Sequence, residues 1–335
     1  MATNKAGKQT LIFPYAPVIF SWGTVVGPME GQGPLSGYFD KIMENDLEDG
    51  DKSWEKSEQG MMQHSMEFAL EKVGLTGENL DFYLAGDLLN QIISANFTAR
   101  FFDVPFLGIY GACSTLAEGM TLGAALLCAG YADKVGVSVS SHHETAERQL
   151  RMPTEQGVQR PLTAQWTVTG AGTYLLSAAG GGIRITSATV GKIKDLGVGD
   201  ANDMGTAMAP AAMDTLKTHL QDMNRKPEDY DLIITGDLGV LGLNILKELM
   251  RQEGYSVDNV SDCGVLIYKP EQDTHSGGSG CGCSGVVLSY ILQKMLEGRY
   301  KRVILLGTGA LLSPTSSFQG ESIPGIAHGV VFEYS

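Results

Sequence analysis

The chain has 335 residues, of which 43% are hydrophobic and 19% are charged. That length is enough to bury one large core or two fused cores of ordinary size. The formal net charge of −14 leaves no basic stripe that could displace counterions from phosphates, which excludes nucleic acid as a partner. The same charge argues against direct docking on an anionic membrane surface.

The five cysteines are an odd number, and only Cys281 and Cys283 lie close together. This pattern is typical of reduced thiols and not of a disulfide framework or a zinc site. No apolar run reaches the roughly 18 residues that span a bilayer, and the first residues lack the order of regions of a signal peptide. We therefore expect a soluble, cytoplasmic chain without a metal or a cofactor.

In chain order, the first half predicts strand, helix, strand, helix, strand. The opening strand contains "FSWGTVVGP", the next strand lies in "DFYLAGDLLN" (residues 81–90), and the segment "GIYGACSTLAEGMTLGAALLCAG" (residues 108–130) follows. The strand "KVGVSVS" then leads into a cationic segment, "SSHHETAERQLRMPTEQGVQR" (residues 140–160). Such near-continuous apolar strands are typical of a sheet that helices cover on both faces.

The second half repeats the first. After the glycine-rich joint "SAAGGGIR" (residues 177–184), "TSATVGKIK" echoes the opening strand and "DLIITGDLGV" (residues 231–240) echoes residues 81–90. The segment from "GCSG" to "RVILLG" echoes the segment around Cys113. The repeat predicts two α/β halves, near residues 1–180 and 181–335, packed about a pseudo-twofold axis.

Cys113 stands where an apolar strand turns into a helix rich in small residues, among them Ala117, Gly119 and Gly123. Small side chains let helices approach closely, so we expect this helix at the centre, paired with "VVLSYILQKMLEGR". The free N–H groups and the dipole of a helix N-terminus would stabilise a thiolate or an approaching carboxylate. The position therefore suits covalent catalysis and anion binding equally, and an inert packed thiol is the alternative.

Ordered segments along the whole chain, among them "LAGDLLNQ", "YGACST", "DMGTAMAPAA", "GGSGCGCS" and "IAHGVVFE", resemble the thiolase superfamily, notably its β-ketoacyl synthase III branch. The resemblance implies a duplicated α/β fold with two five-stranded mixed sheets and central buried helices, in αβαβα layers. It also implies a homodimer in which the strand "VPFLGIYG" pairs across a twofold axis.

In acyl-transferring members of that superfamily, the cysteine works with a histidine and an asparagine from the second half. The histidine position falls here at Gly236 and Asp237, and the asparagine position at Gly278 and Ser279. The acidic stretch at residues 27–51 stands where those members bind coenzyme A. We therefore expect a protein that is not an enzyme. The alternative is a degenerate acyl transferase or acyl-thioester binder that uses Cys113.

The same segments resemble a family of sporulation proteins built on this fold. That resemblance implies binding of dipicolinic acid (pyridine-2,6-dicarboxylic acid), alone or as its Ca²⁺ chelate. It further implies a soluble subunit, associated through integral membrane subunits with the forespore or spore inner membrane. Its transport complex would take up the ligand during sporulation and release it on germination. A pure scaffold with a vestigial pocket is a third interpretation.

The candidate ligand-binding residues lie beside the cysteine, in the cationic segment, at a strand end and near the C-terminus: Cys113, Ser114, His142, Arg148, Asp87 and His328. We expect the helix N-terminus to receive one carboxylate of the ligand and the cations to fix the other, since arginine clamps carboxylates bidentately.

Each of these residues has a structural alternative. Arg148 could pair with Glu144 or Glu147, and His328, expected in a glycine-flanked turn, could be satisfied by backbone carbonyls. His143, on the opposite face from His142, is expected to be structural. Asp87 and Asp237 end equivalent strands, where they could hold Ca²⁺ or cap the following turns.

Overall fold

A computed structural model describes residues 4–47, 52–150 and 160–334 of the chain. The strands are β1 (Lys5–Ala6), β2 (Thr10–Ile12), β3 (Val18–Val26), β4 (Lys41–Ile42), β5 (Phe82–Gly86), β6 (Phe106–Gly108), β7 (Lys134–Ser141), β8 (Trp166–Thr167), β9 (Gly170–Ser177), β10 (Ile183–Thr189), β11 (Leu232–Thr235), β12 (Val260–Asp262), β13 (Gly278–Ser279), β14 (Arg302–Ala310) and β15 (Gly325–Glu333).

The α-helices are α1 (Pro28–Gly31), α2 (Trp54–Glu71), α3 (Ile93–Ala99), α4 (Thr115–Cys128), α5 (His143–Leu150), α6 (Met204–Met223), α7 (Gly239–Gln252), α8 (Cys263–Ile267), α9 (Cys281–Leu296) and α10 (Pro314–Ser317). No helix in the described ranges combines the length and the apolar character that a membrane crossing requires.

The main strands form one continuous mixed sheet in the order β12-β11-β14-β15-β10-β3-β9-β7-β5-β6. Read outward from the middle, the two halves have the same arrangement, so the predicted internal duplication and the α/β class are confirmed. The expectation of two separate five-stranded sheets is wrong in one respect. β3 and β10 pair antiparallel, Ile19 with Ile183 and Val18 with Arg184, and this pairing joins the two sheets into one. It is favourable because each strand supplies hydrogen-bond partners for the backbone groups at the edge of the other.

The strands of each half are covered on both faces. In β7 and β14 every residue after the first is buried, as their apolar sequences predict. One core lies around α4 and α9, and separate cores lie beneath α2 and α3 and beneath α6 and α7. The two halves of the continuous sheet therefore form two layers, with the central helices between them and further helices on each outer face.

The central helices approach the sheet closely at glycines. A Cβ on Gly172 of β9 would lie 1.9 Å from the carbonyl oxygen of Gly285 in α9, and one on Gly307 of β14 would lie 2.6 Å from Cβ of Ala117 in α4. The prediction that small residues place these helices at the centre is confirmed. α9 begins at Cys281, earlier than the predicted start at Val286.

Candidate functional site

Cys113 lies just before α4, in a turn that requires left-handed backbone at Ala112 (φ 52°). The Cys113 residue is only 6% exposed. The Asp237 carboxyl and the backbone N–H of Gly280 both lie near its thiol. Both partners come from the second half of the chain, so the duplication brings the two halves together at this sulfur.

The environment of Cys113 disfavours a thiolate. Burial, followed by the charge of Asp237 and the neighbouring Cys281, raises the pKa of the Cys113 thiol well above its usual range. The expectation that the helix N-terminus stabilises a thiolate here is therefore wrong. Desolvation and an adjacent carboxylate outweigh the favourable helix dipole.

Asp237 follows β11 and occupies the place expected for a catalytic histidine. Its Oδ1 accepts from Thr308 Oγ1 at 2.7 Å, and its Oδ2 accepts from the N–H of Gly280 at 2.9 Å. Burial raises the pKa of Asp237 to about 7. The neighbours that affect the Cys113 pKa within the described residues are a carboxyl, a backbone N–H and a thiol; none is an imidazole or a carboxamide.

A pocket of about 310 Å³ opens beside Tyr110, and we call it the Tyr110 pocket. Burial and the nearby Cys113, Cys281 and Asp87 raise the pKa of Tyr110 to about 12. The pocket is lined by amides, hydroxyls and apolar groups: Leu89, Asn90, Gln91, Ile92, Tyr110, Gln149, Leu150, Leu312, Ser313 and Pro314.

Gln149 of α5 joins two walls of the Tyr110 pocket. Its Oε1 accepts from the N–H of Asn90 at 2.8 Å, and its Nε2 donates to the carbonyl oxygen of Leu88 at 3.0 Å. Gln91 and Ile92 have φ values of 55° and 46°, an uncommon conformation for such residues. The wall at residues 88–92 is therefore a constrained loop held against α5.

Ser114 and Asp87 are both buried and both engaged by the protein. The Ser114 hydroxyl donates to the carbonyl oxygen of Gly111 at 2.6 Å. Asp87 accepts from the N–H groups of Leu89 and Ala95, each at 2.8 Å, which confirms the capping interpretation. Within the described residues, no group of three or more His, Cys, Asp or Glu side chains is placed to hold a metal ion.

The histidines of the cationic segment pack inside the protein. His142 is fully buried; its Nε2 bonds to the carbonyl oxygen of Asp46 at 2.8 Å, and its Nδ1 accepts from the N–H of Glu144 at 3.2 Å. Both nitrogens of its ring are used, which leaves neither for a ligand. His143 stacks on Trp166 with 3.6 Å between ring centroids, in keeping with its predicted structural role.

The arginines of this segment also have protein partners. Arg148 pairs with Glu55 of α2 and lies over the ring of Trp54 at 5.5 Å; the alternatives Glu144 and Glu147 are not the partners found. Arg160 bonds to the carbonyl oxygen of Gln165 and lies over Trp166. Arg151, in the same segment, lies outside the described residues.

His328 lies within β15 and not in a turn. The glycines beside it do not interrupt the strand, because β15 pairs with β14 without a break from Gly325 onward. The Nδ1 of His328 accepts from the N–H of Gly191 at 3.1 Å, and burial lowers its pKa. The histidine is therefore satisfied by a backbone amide and not by the carbonyls expected.

The pocket residues that the sequence analysis missed had only weak local signals. Tyr110 stands in the same apolar stretch as Cys113, and Asn90 closes the strand segment at residues 81–90 that the repeat had marked. Gln149 is next to Arg148, and the charge of Arg148 made that residue the predicted ligand contact. A side chain at a strand end of an α/β sheet was the general signal that could have found Asn90.

The fold of the chain is that of the thiolase-like condensing enzymes. It superposes on 3-oxoacyl-[acyl-carrier-protein] synthase III from Aquifex aeolicus with a TM-score of 0.61 at 13% identity, over 95% of this chain and 100% of that one. It superposes on a structure of OleA from Xanthomonas campestris with a TM-score of 0.63 at 14% identity, over 95% and 99% of the two chains.

Sequence comparison narrows this class. The family of Stage V sporulation protein AD (SpoVAD) matches residues 7–333. Stage V sporulation protein AD of Bacillus subtilis (strain 168) is 50% identical over 329 residues, which are 98% of this chain and 97% of that protein. The chain therefore belongs to the SpoVAD family of sporulation proteins.

Proposed function

We propose that this sporulation protein binds dipicolinic acid in the Tyr110 pocket and does not act as an enzyme. In this proposal it is the peripheral subunit of a transport complex at the spore inner membrane, for uptake during sporulation and release on germination. One observation carries the proposal. The cysteine just before the fold's central helix is buried against Asp237, while a pocket lined by neutral hydrogen-bonding groups opens beside Tyr110, earlier in the same turn.

The chemistry around Cys113 supports binding over catalysis. An acyl-transferring cysteine needs thiolate character and a partner that moves a proton. Here burial and Asp237 raise the thiol pKa. Asp237 itself is tied to Thr308 and Gly280, so it holds the second-half loops in place.

The lining of the Tyr110 pocket suits a small, flat dicarboxylate. Its volume of about 310 Å³ is at the lower end for small-ligand pockets. Tyr110, Asn90, Gln149 and Ser313 supply hydroxyl and amide donors, which carboxylates accept from. In this proposal, these groups replace Ser114, His142, Arg148 and His328 as the ligand contacts, because those four have partners within the protein and do not appear in the pocket lining.

The proposed partners include a second copy of the chain. β6 is an edge strand of the sheet, and Leu107 on it is 45% exposed. The apolar side chains of Ile93, Phe97 and Phe101 are also exposed nearby. An open strand edge flanked by apolar side chains favours self-association. The membrane subunits of the complex are further proposed partners, which would hold this subunit at the spore inner membrane.

Calorimetric titration with dipicolinate tests the function, with isophthalate as a matched control that has the same two carboxylates but no ring nitrogen. We expect Tyr110→Phe to weaken binding about tenfold, since a hydrogen bond to a charged group is worth about 1.5–3 kcal/mol. Cys113→Ala should leave affinity nearly unchanged, because the pocket lining given above does not include the buried Cys113. Repeating the titration in the presence of Ca²⁺ tests whether the protein binds the Ca²⁺ chelate of dipicolinate. The absence of heat at millimolar dipicolinate would refute the proposal.

A separate measurement addresses the acyl-transfer alternative. The intact protein is incubated with acetyl-coenzyme A and longer acyl-coenzyme A thioesters, and its mass is then measured. We expect no adduct on Cys113. An acyl mass on that residue would favour the degenerate acyl transferase over the binding protein.

A further inference from the structure

Two fully buried acidic side chains bond to the elements that form the Tyr110 pocket. Glu58 belongs to α2, and Asp87 follows β5; both have 0% exposure. Glu58 Oε1 accepts from Ser140 Oγ at 2.9 Å, and its Oε2 accepts from Thr145 Oγ1 at 2.8 Å. Buried carboxyls without a cationic partner are uncommon, so this pair calls for an explanation.

Each carboxyl holds a different wall of the pocket. Thr145, bonded to Glu58, lies in α5, the helix that carries Gln149. Asp87 fixes the N–H of Leu89 in the loop that forms the opposite wall. Gln149 then bonds back to that loop at Leu88 and Asn90. Gly86 pairs with Val139 in the sheet, which brings Asp87 beside Ser140, the residue whose hydroxyl Glu58 accepts from. The two carboxyls are therefore near each other, and each is tied to one wall of the pocket.

Only one of the two carboxyl groups is ionised near neutral pH. Burial and the charge of Asp87 raise the pKa of Glu58 to about 8, and burial raises the pKa of Asp87 to about 6. Like charges in a shared buried site do not both ionise near neutral pH. At pH 7 the pair therefore keeps one proton.

The other ionisable groups near the pair do not supply a compensating charge. The pKa values of Cys281 in α9, Tyr83 in β5 and Tyr110 are all raised, so these groups stay neutral between pH 6 and pH 9. On α5 and at its start, His142 bonds to the Asp46 carbonyl and Arg148 pairs with Glu55. Loss of the last proton would leave two buried carboxylates facing each other.

We propose that the Glu58 and Asp87 pair, by keeping one proton, holds the two walls of the Tyr110 pocket together and makes ligand binding pH-dependent. The pocket binds its dicarboxylate in weakly acidic and neutral solution and releases it as the solution becomes alkaline. Repulsion within the deprotonated pair separates α5 from the loop at residues 88–92, and the added negative charge disfavours an anionic ligand. This inference rests on the proposed dicarboxylate binding.

Titrations of dipicolinate at pH 6.5, 7.5 and 9 test the inference, since carboxyl groups of ordinary pKa stay ionised throughout that range. For a single linked proton with the pKa of Glu58, wild-type affinity should fall about tenfold by pH 9. Glu58→Gln should bind with nearly constant affinity, because a neutral amide replaces the ionising acid. Glu71→Gln, an exposed site on the same helix, should keep the wild-type profile.

Several outcomes would overturn the inference. These are a wild-type affinity that stays constant from pH 6.5 to 9, or a Glu58→Gln profile as steep as that of the wild type. If Glu58→Gln does not fold, Asp87→Asn serves instead, because removing the second charge lowers the pKa of Glu58 and should likewise flatten the profile between pH 7.5 and 9.

A readout without ligand separates this inference from the proposed function. Hydrogen exchange at pH 8.5 should be slower at the Leu89 and Ala95 amides in Glu58→Gln than in the wild type, because Asp87 then carries the only charge of the pair and no repulsion opens the loop. Slower exchange together with no dipicolinate binding at any pH would refute the proposed ligand and retain the proton-linked pocket. Equal exchange in the two proteins would refute the proton link whatever the ligand.

Discussion

Replacing Asp237 by asparagine should make the Cys113 thiol more reactive above neutral pH. In the wild type, the Asp237 carboxyl lies near the sulfur and raises its pKa. A like charge within about 4–6 Å typically shifts a pKa by about 1–3, so removing it should increase the thiolate fraction by about tenfold or more. Asparagine keeps the shape of the side chain and one acceptor for Thr308 or Gly280.

The effect should depend on pH in a defined direction. Burial raises the pKa of Asp237 to about 7, so the wild-type carboxyl is charged at pH 8.5 and largely neutral at pH 6. The difference in reactivity between variant and wild type should therefore be large at pH 8.5 and small at pH 6. A purely steric opening of the site would raise reactivity equally at both values.

The assay is the labelling rate of Cys113 by methyl methanethiolsulfonate, a reagent small enough for a thiol that is 6% exposed. Peptide mass spectrometry gives the rate for each cysteine. Cys128, which is partly exposed and whose pKa is not influenced by Asp237, serves as the internal reference. The reasoning fails if the ratio of Cys113 to Cys128 labelling at pH 8.5 is the same in both proteins while the variant keeps its melting temperature.

Three further predictions concern stability and assembly. Gly172→Ala should lower the melting temperature by about 2–4 °C, since overpacking costs about 1–3 kcal/mol and the new Cβ would meet the Gly285 carbonyl at 1.9 Å. The control Gly181→Ala, with nothing within 4 Å of its Cβ, should leave the melting temperature unchanged. Equal melting temperatures for the two variants would contradict the close packing at Gly172. Burial lowers the pKa of His219 to about 3, so between pH 6.5 and 4 this imidazole takes up a proton only in the unfolded chain, and stability falls as the pH drops. His219→Gln should therefore reduce the dependence of the melting temperature on pH between 6.5 and 4. An unchanged slope would argue against a buried neutral imidazole. Leu107→Lys on the edge strand should halve the mass measured by light scattering, whereas a wild-type monomer would remove the proposed dimer.

Much of the fold could be predicted from the repeated segments and the small residues after Cys113. The recurrence of "GDL" at two strand ends, and of a cysteine-serine pair at the beginning of two helical segments, reflects local requirements that each half of the chain must satisfy by itself. Glycine and alanine in the central helices report close packing even without a known partner. The joining of the two sheets through β3 and β10 could not be predicted, because two residue pairs leave no periodic signal.

The candidate site was harder to predict, and charge was a poor guide to it. Arg148 and His142 drew attention as cations in an acidic chain, yet each is held by a protein group, Glu55 and the Asp46 carbonyl respectively. Tyr110 and Gln149, which line the pocket, are ordinary residues in sequence. Their role comes from the walls they join, and such contacts are long-range.

The sequence by itself determined the duplicated α/β architecture and the place of Cys113 at the start of a central helix. Periodicity and residue size are local properties, so they can be read along the chain. Only the tertiary structure decided that Asp237 lies near the Cys113 sulfur and that Glu58 lies near Asp87. The electrostatics of a buried group depend on burial and on residues distant in sequence, and folding alone brings these together.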